Sequence, residues 1–153
     1  ALLYGVKEEV PDEFFEIPFG KANIKRTGDS ITIISYSGMV RTCMAASEII
    51  SKDFNVECEV IDLRTLRPLD FETIIKSVKK TGRAVVVEEA WKTGGFGANI
   101  SESIQLEAFD YLDGPIIRIA SEDVPAPYNR KLELATIPNE QKIVAAIKQN
   151  FSI

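Results

Sequence analysis

Residues 70–100 read DFETIIKSVKKTGRAVVVEEAWKTGGFGANI, and the fold class turns on this one stretch. Asp70 stands before an apolar stripe at Phe71, Ile74, Ile75 and Val78, the pattern of an N-capped amphipathic helix. Lys76, Lys79 and Lys80 weight its C-terminal half, where they meet the negative end of the helix dipole, and Gly82 closes it. RAVVVEE follows as a β-branched run suited to burial on both faces of a sheet. Gly94, Gly95 and Gly97 then turn the chain into a segment whose Ile100, Ile104 and Ala108 fall on one side of a helix.

The same alternation extends outward in both directions. Toward the N-terminus, ITIISY reads as a buried strand, Val40, Cys43, Met44, Ala46 and Ile50 in Gly38–Asp53 keep helical spacing, and ECEVIDL forms the next strand. KANIKR is too polar for a central position and belongs at a sheet edge, in antiparallel sense. Toward the C-terminus, PIIRIA makes a strand, DVPAPY a proline-stiffened loop, and Asn139 caps a last helix carrying Ile143, Ile147 and Phe151. Strands alternating with helices predict an α/β domain with a mostly parallel sheet and helices on both faces. The first 20 residues, with Pro11, Pro18 and five Asp or Glu, show no sustained period and read as a linker from something upstream; Ala1 in place of an initiator methionine suits a fragment or a processed chain.

Composition narrows the chemistry. The chain has 153 residues, 45% hydrophobic and 27% charged, enough for one real core. No apolar run approaches a membrane-spanning length, so no membrane partner is expected. Eighteen basic against twenty-three acidic residues leave a net charge of −5, which repels nucleic acid and favours a basic partner surface. Cys43 and Cys58 form no C-x-x-C and are expected as buried, reduced thiols of an intracellular protein. There is no histidine at all, which removes imidazole-based catalysis and most catalytic zinc sites.

The glycine-rich turn invites a test as a phosphate cradle, and it fails. GGFGANI has Ile100 where the dinucleotide fingerprint needs its third glycine, and no G-x-x-x-x-G-K-[ST] occurs. Glu88 and Glu89 end the preceding strand, and a carboxylate ~5 Å from a phosphate costs about 1 kcal/mol even in water. The three glycines are therefore expected to serve a compact loop and close helix packing. Glu88 and Glu89 alternate in direction, which argues against a paired-carboxylate acid–base site. Lying at a strand's C-terminal end, they are candidate contacts to a neighbouring domain, with Arg64 and Arg67 of DLRTLRP as partners for them or for that domain. Trp91, the one tryptophan, is expected in a loop as a packing or interface anchor.

Taken in order, IPFGKANIKRTGD, VIDLRTLRPLD, SVKKTGRAVVVEEAWKTGGFGANI, YLDGP and DVPAPY resemble the C-terminal part of pyruvate dehydrogenase beta subunits, within the wider transketolase C-terminal domain family. The resemblance implies a three-layer α/β/α sandwich with a mixed, mostly parallel five-stranded sheet over residues 21–153, and residues 1–20 as the linker from a missing N-terminal pyrimidine-binding domain. It also implies an oxidoreductase that decarboxylates pyruvate and reductively acetylates lipoyl groups, in mitochondrial matrix, plastid or bacterial cytoplasm. Thiamine diphosphate and Mg lie, in such enzymes, between the alpha subunit and the beta subunit's N-terminal domain. No cofactor, metal or catalytic residue is thus expected on this chain alone. Its implied partners are the alpha subunit, a second beta subunit, and the peripheral subunit-binding domain of dihydrolipoyl acyltransferase, docked by Asp113 and the terminal carboxylate of Ile153. The alternatives are the same domain of a branched-chain 2-oxoacid dehydrogenase, or a free-standing flavodoxin-like nucleotide-binding module.

Overall fold

A computed structural model describes residue 9 and residues 11–153; the rest of the expected linker lies outside the described residues. Five strands form one sheet: β1 (Asn23–Arg26), β2 (Ile31–Ser35), β3 (Cys58–Asp62), β4 (Ala84–Trp91) and β5 (Ile117–Ser121). Their spatial order is β1-β3-β2-β4-β5. β2 is central and parallel to both neighbours, with Ile33 facing Val60 on one side and Val85 on the other. β5 continues the parallel set, and β1 alone runs antiparallel, with Asn23 opposite Asp62. The polar edge strand and the mixed, mostly parallel sheet are as the sequence implies.

Strand alternation sends neighbouring residues to opposite faces, and each face has its own helix pair. Ile31, Ile33, Val85 and Val87 pack with Cys43, Ala46 and Ile50 of α1 (Met39–Phe54), and with Ile143, Ile147 and Phe151 of α5 (Glu140–Phe151). Ile34, Ala84 and Val86 pack on the other face with Ile74 and Val78 of α2 (Phe71–Thr81), and with Ile100 and Ile104 of α3 (Gly97–Ala108). The result is a three-layer α/β/α sandwich. Cys43 and Cys58 are buried free thiols, and burial pushes each of them up to about 12.

Local signals set the helix ends. Asp70 Oδ1 accepts the Thr73 N–H at 3.2 Å, and Gly82, at φ 68°, returns its N–H to Val78 O at 2.8 Å. Asn139 caps α5 by accepting the Lys142 N–H at 2.9 Å. Two pieces depart from the sequence reading. The proline-rich connection after β5 contains a short helix, α4 (Arg130–Thr136), capped by the Asn129 side chain. Trp91 does not stand in a loop: it is the last residue of β4 and pairs with Ser121, because the strand resumes after an irregularity beyond Val87.

Beneath α2 lies a buried polar network unmarked by any motif. Thr32 Oγ1 lies 2.7 Å from both Ser77 Oγ and Thr81 Oγ1. Ser77 donates to Glu59, whose second oxygen is paired with Lys80. Among the described residues, no helix is long and apolar enough to cross a membrane.

Candidate functional site

The four parallel strands give the sheet two dissimilar ends. At their carboxyl ends stand Glu88, Glu89, Trp91, Arg64 and Arg67; at their amino ends stand Gly82, Asp113 and the end of α5.

The carboxyl end is organised around Glu88. Its side chain is 1% exposed, while Glu89, pointing the other way, is exposed. Glu88 Oε2 accepts the Gly97 N–H at the start of α3 at 2.8 Å and the Tyr36 hydroxyl at 3.2 Å. Glu88 Oε1 accepts from Arg118 Nη2 at 2.7 Å, and the same nitrogen donates to Lys92 O at 3.0 Å. Burial, and then the Glu88 charge, push the Tyr36 phenol up to about 12, so it stays a donor at any ordinary pH. Arg118 Nε is buried without a partner.

This arrangement explains the glycines. A Cβ on Gly97 would stand 2.5 Å from Glu88 Oε1, and one on Gly95 would stand 2.4 Å from Trp91 O. The helix N-terminus that a phosphate would use is filled by the chain's own carboxylate, which carries the same charge. A diphosphate does not fit there. Among the described residues there is also no group of three or more His, Cys, Asp or Glu that could hold a metal ion.

Arg64 and Arg67 do not meet these acids. The ion pairs among the described residues are Arg26–Glu57, Lys80–Glu59, Arg118–Glu88 and Arg130–Glu133. The cation that serves Glu88 comes from β5, the neighbouring strand, because β3 and its arginine loop lie beyond β2 on the far side. A lone arginine inside the apolar PIIRIA run was the available signal. Arg64 and Arg67 are exposed, and the Arg64 N–H donates to Asp62 Oδ1 at 3.0 Å. Arg64, Asp62 and Thr65 line an open groove of about 420 Å³ with Ile17, Pro18 and Phe19, the last 82% exposed.

On the β5 side, Trp91 is 53% exposed and lines a groove of about 350 Å³ with Thr93, Asp123, Val124 and Pro125. Thr93 ties the loop down, its N–H and hydroxyl donating to the two Asp123 oxygens at 3.0 and 2.7 Å. Those two bonds, the backbone one first, hold the Asp123 carboxyl below its ordinary value.

The amino end brings Asp113 and the C-terminus toward each other. The exposed Asp113 donates its N–H to Gly82 O at 2.8 Å, which sets its carboxylate against the end of α2. A Cβ on Gly82 would stand 2.5 Å from Asp113 Oδ2. The next residue, Gly114, lies against the Phe151 ring, and the Arg83 guanidinium stands over that ring at 5.5 Å. Ile153, two residues on, packs partly buried against the α1–α5 core. The two residues singled out in the sequence thus share one end of the sheet.

Several known proteins are similar to this chain. The pyruvate dehydrogenase E1 component subunit beta of Rickettsia bellii (strain RML369-C) is 47% identical over 148 residues, 97% of this chain and 45% of that protein. The mitochondrial pyruvate dehydrogenase E1 component subunit beta of Homo sapiens is 46% identical over 157 residues, 99% of this chain and 44% of its own. The chain therefore spans less than half the length of these curated relatives. Among solved structures, a split gene transketolase, an inactive beta4 tetramer, superposes with a TM-score of 0.78 at 25% identity, over 97% of this chain and 46% of that one. The model of the transketolase C-terminal domain matches residues 20–143, and the chain belongs to that family.

Proposed function

We propose that this chain is the C-terminal assembly and partner-docking domain of the beta subunit of a pyruvate dehydrogenase (acetyl-transferring). In that reading residues 1–20 link it to a pyrimidine-binding domain, and thiamine diphosphate and Mg are held by that domain and the alpha subunit. The whole enzyme decarboxylates pyruvate and passes the acetyl group reductively to a lipoyl group, in the mitochondrial matrix, a plastid or a bacterial cytoplasm. The observation that carries the reading is Glu88. The one glycine-rich turn with the form of an anion site is filled by a buried carboxylate of the same chain, so the turn serves packing and the exposed ends of the sheet serve contacts.

Arg64, Arg67, Glu89 and Trp91 contact the adjoining domain or the alpha subunit at the carboxyl end, while Glu88 holds that end in shape. Asp113 and the carboxylate of Ile153 take the basic peripheral subunit-binding domain of dihydrolipoyl acyltransferase at the amino end. Calorimetric titration of that binding domain into the assembled enzyme tests this. Asp113→Ala, or a short C-terminal extension that displaces the Ile153 carboxylate, weakens binding by roughly 1–3 kcal/mol if the pair is desolvated, and less at high salt. Unchanged affinity in both variants at low and high salt moves docking elsewhere. The free-standing nucleotide-binding alternative is checked by thermal stabilisation with NAD, FMN and ATP, none of which should shift the melting of the chain.

A further inference from the structure

The two edge strands of the sheet differ in how they meet solvent. β1 carries Lys25 and Arg26, and an irregularity between Ile24 and Arg26 breaks its ladder to β3. Charge and irregularity of this kind keep a strand edge from pairing with another chain. β5 has neither guard. It contains no lysine or proline, its one charge, Arg118, is turned back onto Glu88, and the extra residues at the irregularity near its end belong to β4.

The free backbone groups of β5 can be assigned. In a strand the N–H and C=O of one residue point to one side, and those of the next residue to the other. Ser121 O accepts the Lys92 N–H at 3.3 Å, toward β4, whereas the Glu122 N–H donates to Thr136 O at 3.0 Å, away from it. Alternation back along β5 thus gives Ile117 and Ile119 to the β4 ladder and turns Arg118 and Ala120 outward. Among the described residues, no hydrogen bond reaches the outward N–H or C=O of either. These groups open into a groove of about 480 Å³, bounded on its other side by Lys142, Ala146 and Asn150, a stripe of α5 at helical spacing.

We infer that this groove takes an extended segment of another polypeptide as a sixth strand. An unpaired row of backbone donors and acceptors is met in full by another extended backbone, and pockets beside it select alternate side chains. The lining says which side chains those are. The small Ala146 leaves room between its longer neighbours, and Ile117 and Ile119 point to the same face, so the guest residues turned toward α5 are apolar. No residue of α3 lines the groove, so the alternate guest residues face water and are polar. With the Arg118–Glu88 pair set aside, Lys92 and Lys142 balance Glu122 and Asp123, which suits a segment of no net charge. The surface runs along the side of the sheet, apart from both ends, and is independent of the assembly reading.

The probe is a synthetic hexapeptide of alternating valine and threonine, N-methylated at the threonines so that one edge alone can pair and the peptide cannot stack on itself. It is titrated into the 153-residue chain and followed by amide chemical shifts and hydrogen exchange. Binding should shift the Arg118 and Ala120 amides and protect them from exchange, with less change at Ile117 and Ile119, and should persist at high salt. The same peptide N-methylated at every residue should not bind. Ala120→Pro removes one outward N–H without touching the ladder to β4, because proline is tolerated on the open side of an edge strand, and should weaken binding by about tenfold. Ala146→Leu fills the groove from the α5 side and should also weaken binding, with the backbone of β5 intact, so the test does not depend on the proline variant folding. No protection of Arg118 and Ala120 at any peptide concentration overturns the proposal. Equal binding of the fully methylated peptide does so too, since that is apolar adhesion and not strand pairing. Protection of both amides in the concentrated chain alone also overturns it, because the occupant is then a second copy.

Discussion

The two ends of the sheet use charge in opposite ways. At the carboxyl end Glu88 is buried and spends both oxygens inside the chain, on the Gly97 N–H, Tyr36 and Arg118. At the amino end Asp113 is exposed and tied only through its backbone N–H, which leaves its carboxylate outside. A buried, fully paired carboxylate holds structure; an exposed one on a backbone-anchored turn is available to something else. Perturbing each end should therefore move different observables.

The largest effect is expected at Glu88. Glu88→Ala removes the partner of a guanidinium that is 17% exposed, together with the acceptor of the Gly97 N–H. Breaking one side of such a pair costs about 3–5 kcal/mol, because the other charge stays buried and uncompensated. Urea unfolding monitored at Trp91 measures it. Glu88→Gln keeps the shape and one acceptor and should lose less. If Glu88→Ala costs no more than a surface substitution, the carboxyl end is not organised around this residue.

Next come the glycines that let each end close. Gly97→Ala pushes a methyl group against Glu88, which has no room to yield, and should cost roughly 1–3 kcal/mol. Gly82→Ala meets Asp113 Oδ2, the end of an exposed side chain that can turn partly aside, and adds the cost of φ 68° for a residue with a side chain, about 1 kcal/mol or more. The two ends separate in a double-mutant cycle. Asp113→Ala clears the obstacle and should recover the steric part of the Gly82→Ala loss, leaving the backbone part, whereas it does nothing for Gly97→Ala.

How much of this could be read from the sequence depends on the range of the interaction. The capping bonds of Asp70, Gly82 and Asn139 reach no more than four residues, and each is made in the structure as its position implies. Strand alternation separated Glu88 from Glu89 for the same reason. The partner of Glu88 was not legible, because Arg118 lies 30 positions away and reaches it only through the pairing of β4 with β5. Arg64 and Arg67, nearer in the sequence, are separated from Glu88 by strand order. Trp91 reads as a loop residue because Thr93, Gly94 and Gly95 stand so near it, while its pairing with Ser121 is non-local. Helix α4 escaped because it has no buried residue and hence no apolar period.

A smaller, pH-dependent effect marks the carboxyl end. Asp70 accepts the Ala22 N–H at 3.0 Å as well as the Thr73 hydroxyl and N–H. Burial pulls its carboxyl upward, but these bonds outweigh it and hold the group below its ordinary value of 3.8. A depressed folded value means that the contribution is complete above the unfolded value and lost as pH falls through the folded one. Stability should therefore decline below about pH 4 more steeply in the wild type than in Asp70→Asn, whose profile lacks this titration. Parallel acid slopes in the two proteins would show that Asp70 contributes as a cap without regard to its charge.

The smallest effect on stability, and the most telling one, is expected at Asp113. Its side chain is exposed and makes no hydrogen bond to another described residue, so its removal should leave unfolding free energy within about 0.5 kcal/mol of wild type. The turn itself is kept, because the anchoring bond runs from the backbone N–H to Gly82 O. If Asp113 is a docking group, the same substitution weakens capture of the basic binding domain by roughly 1–3 kcal/mol while stability stands still, and added salt narrows the difference by screening the pair. Glu88→Ala should show the reverse in a temperature range where it remains folded: a large loss of stability, with little change in docking at the opposite end of the sheet. A substitution that lowered stability and docking together at Asp113 would mean that the turn is structural, and the contrast between a spent and an available carboxylate would not hold.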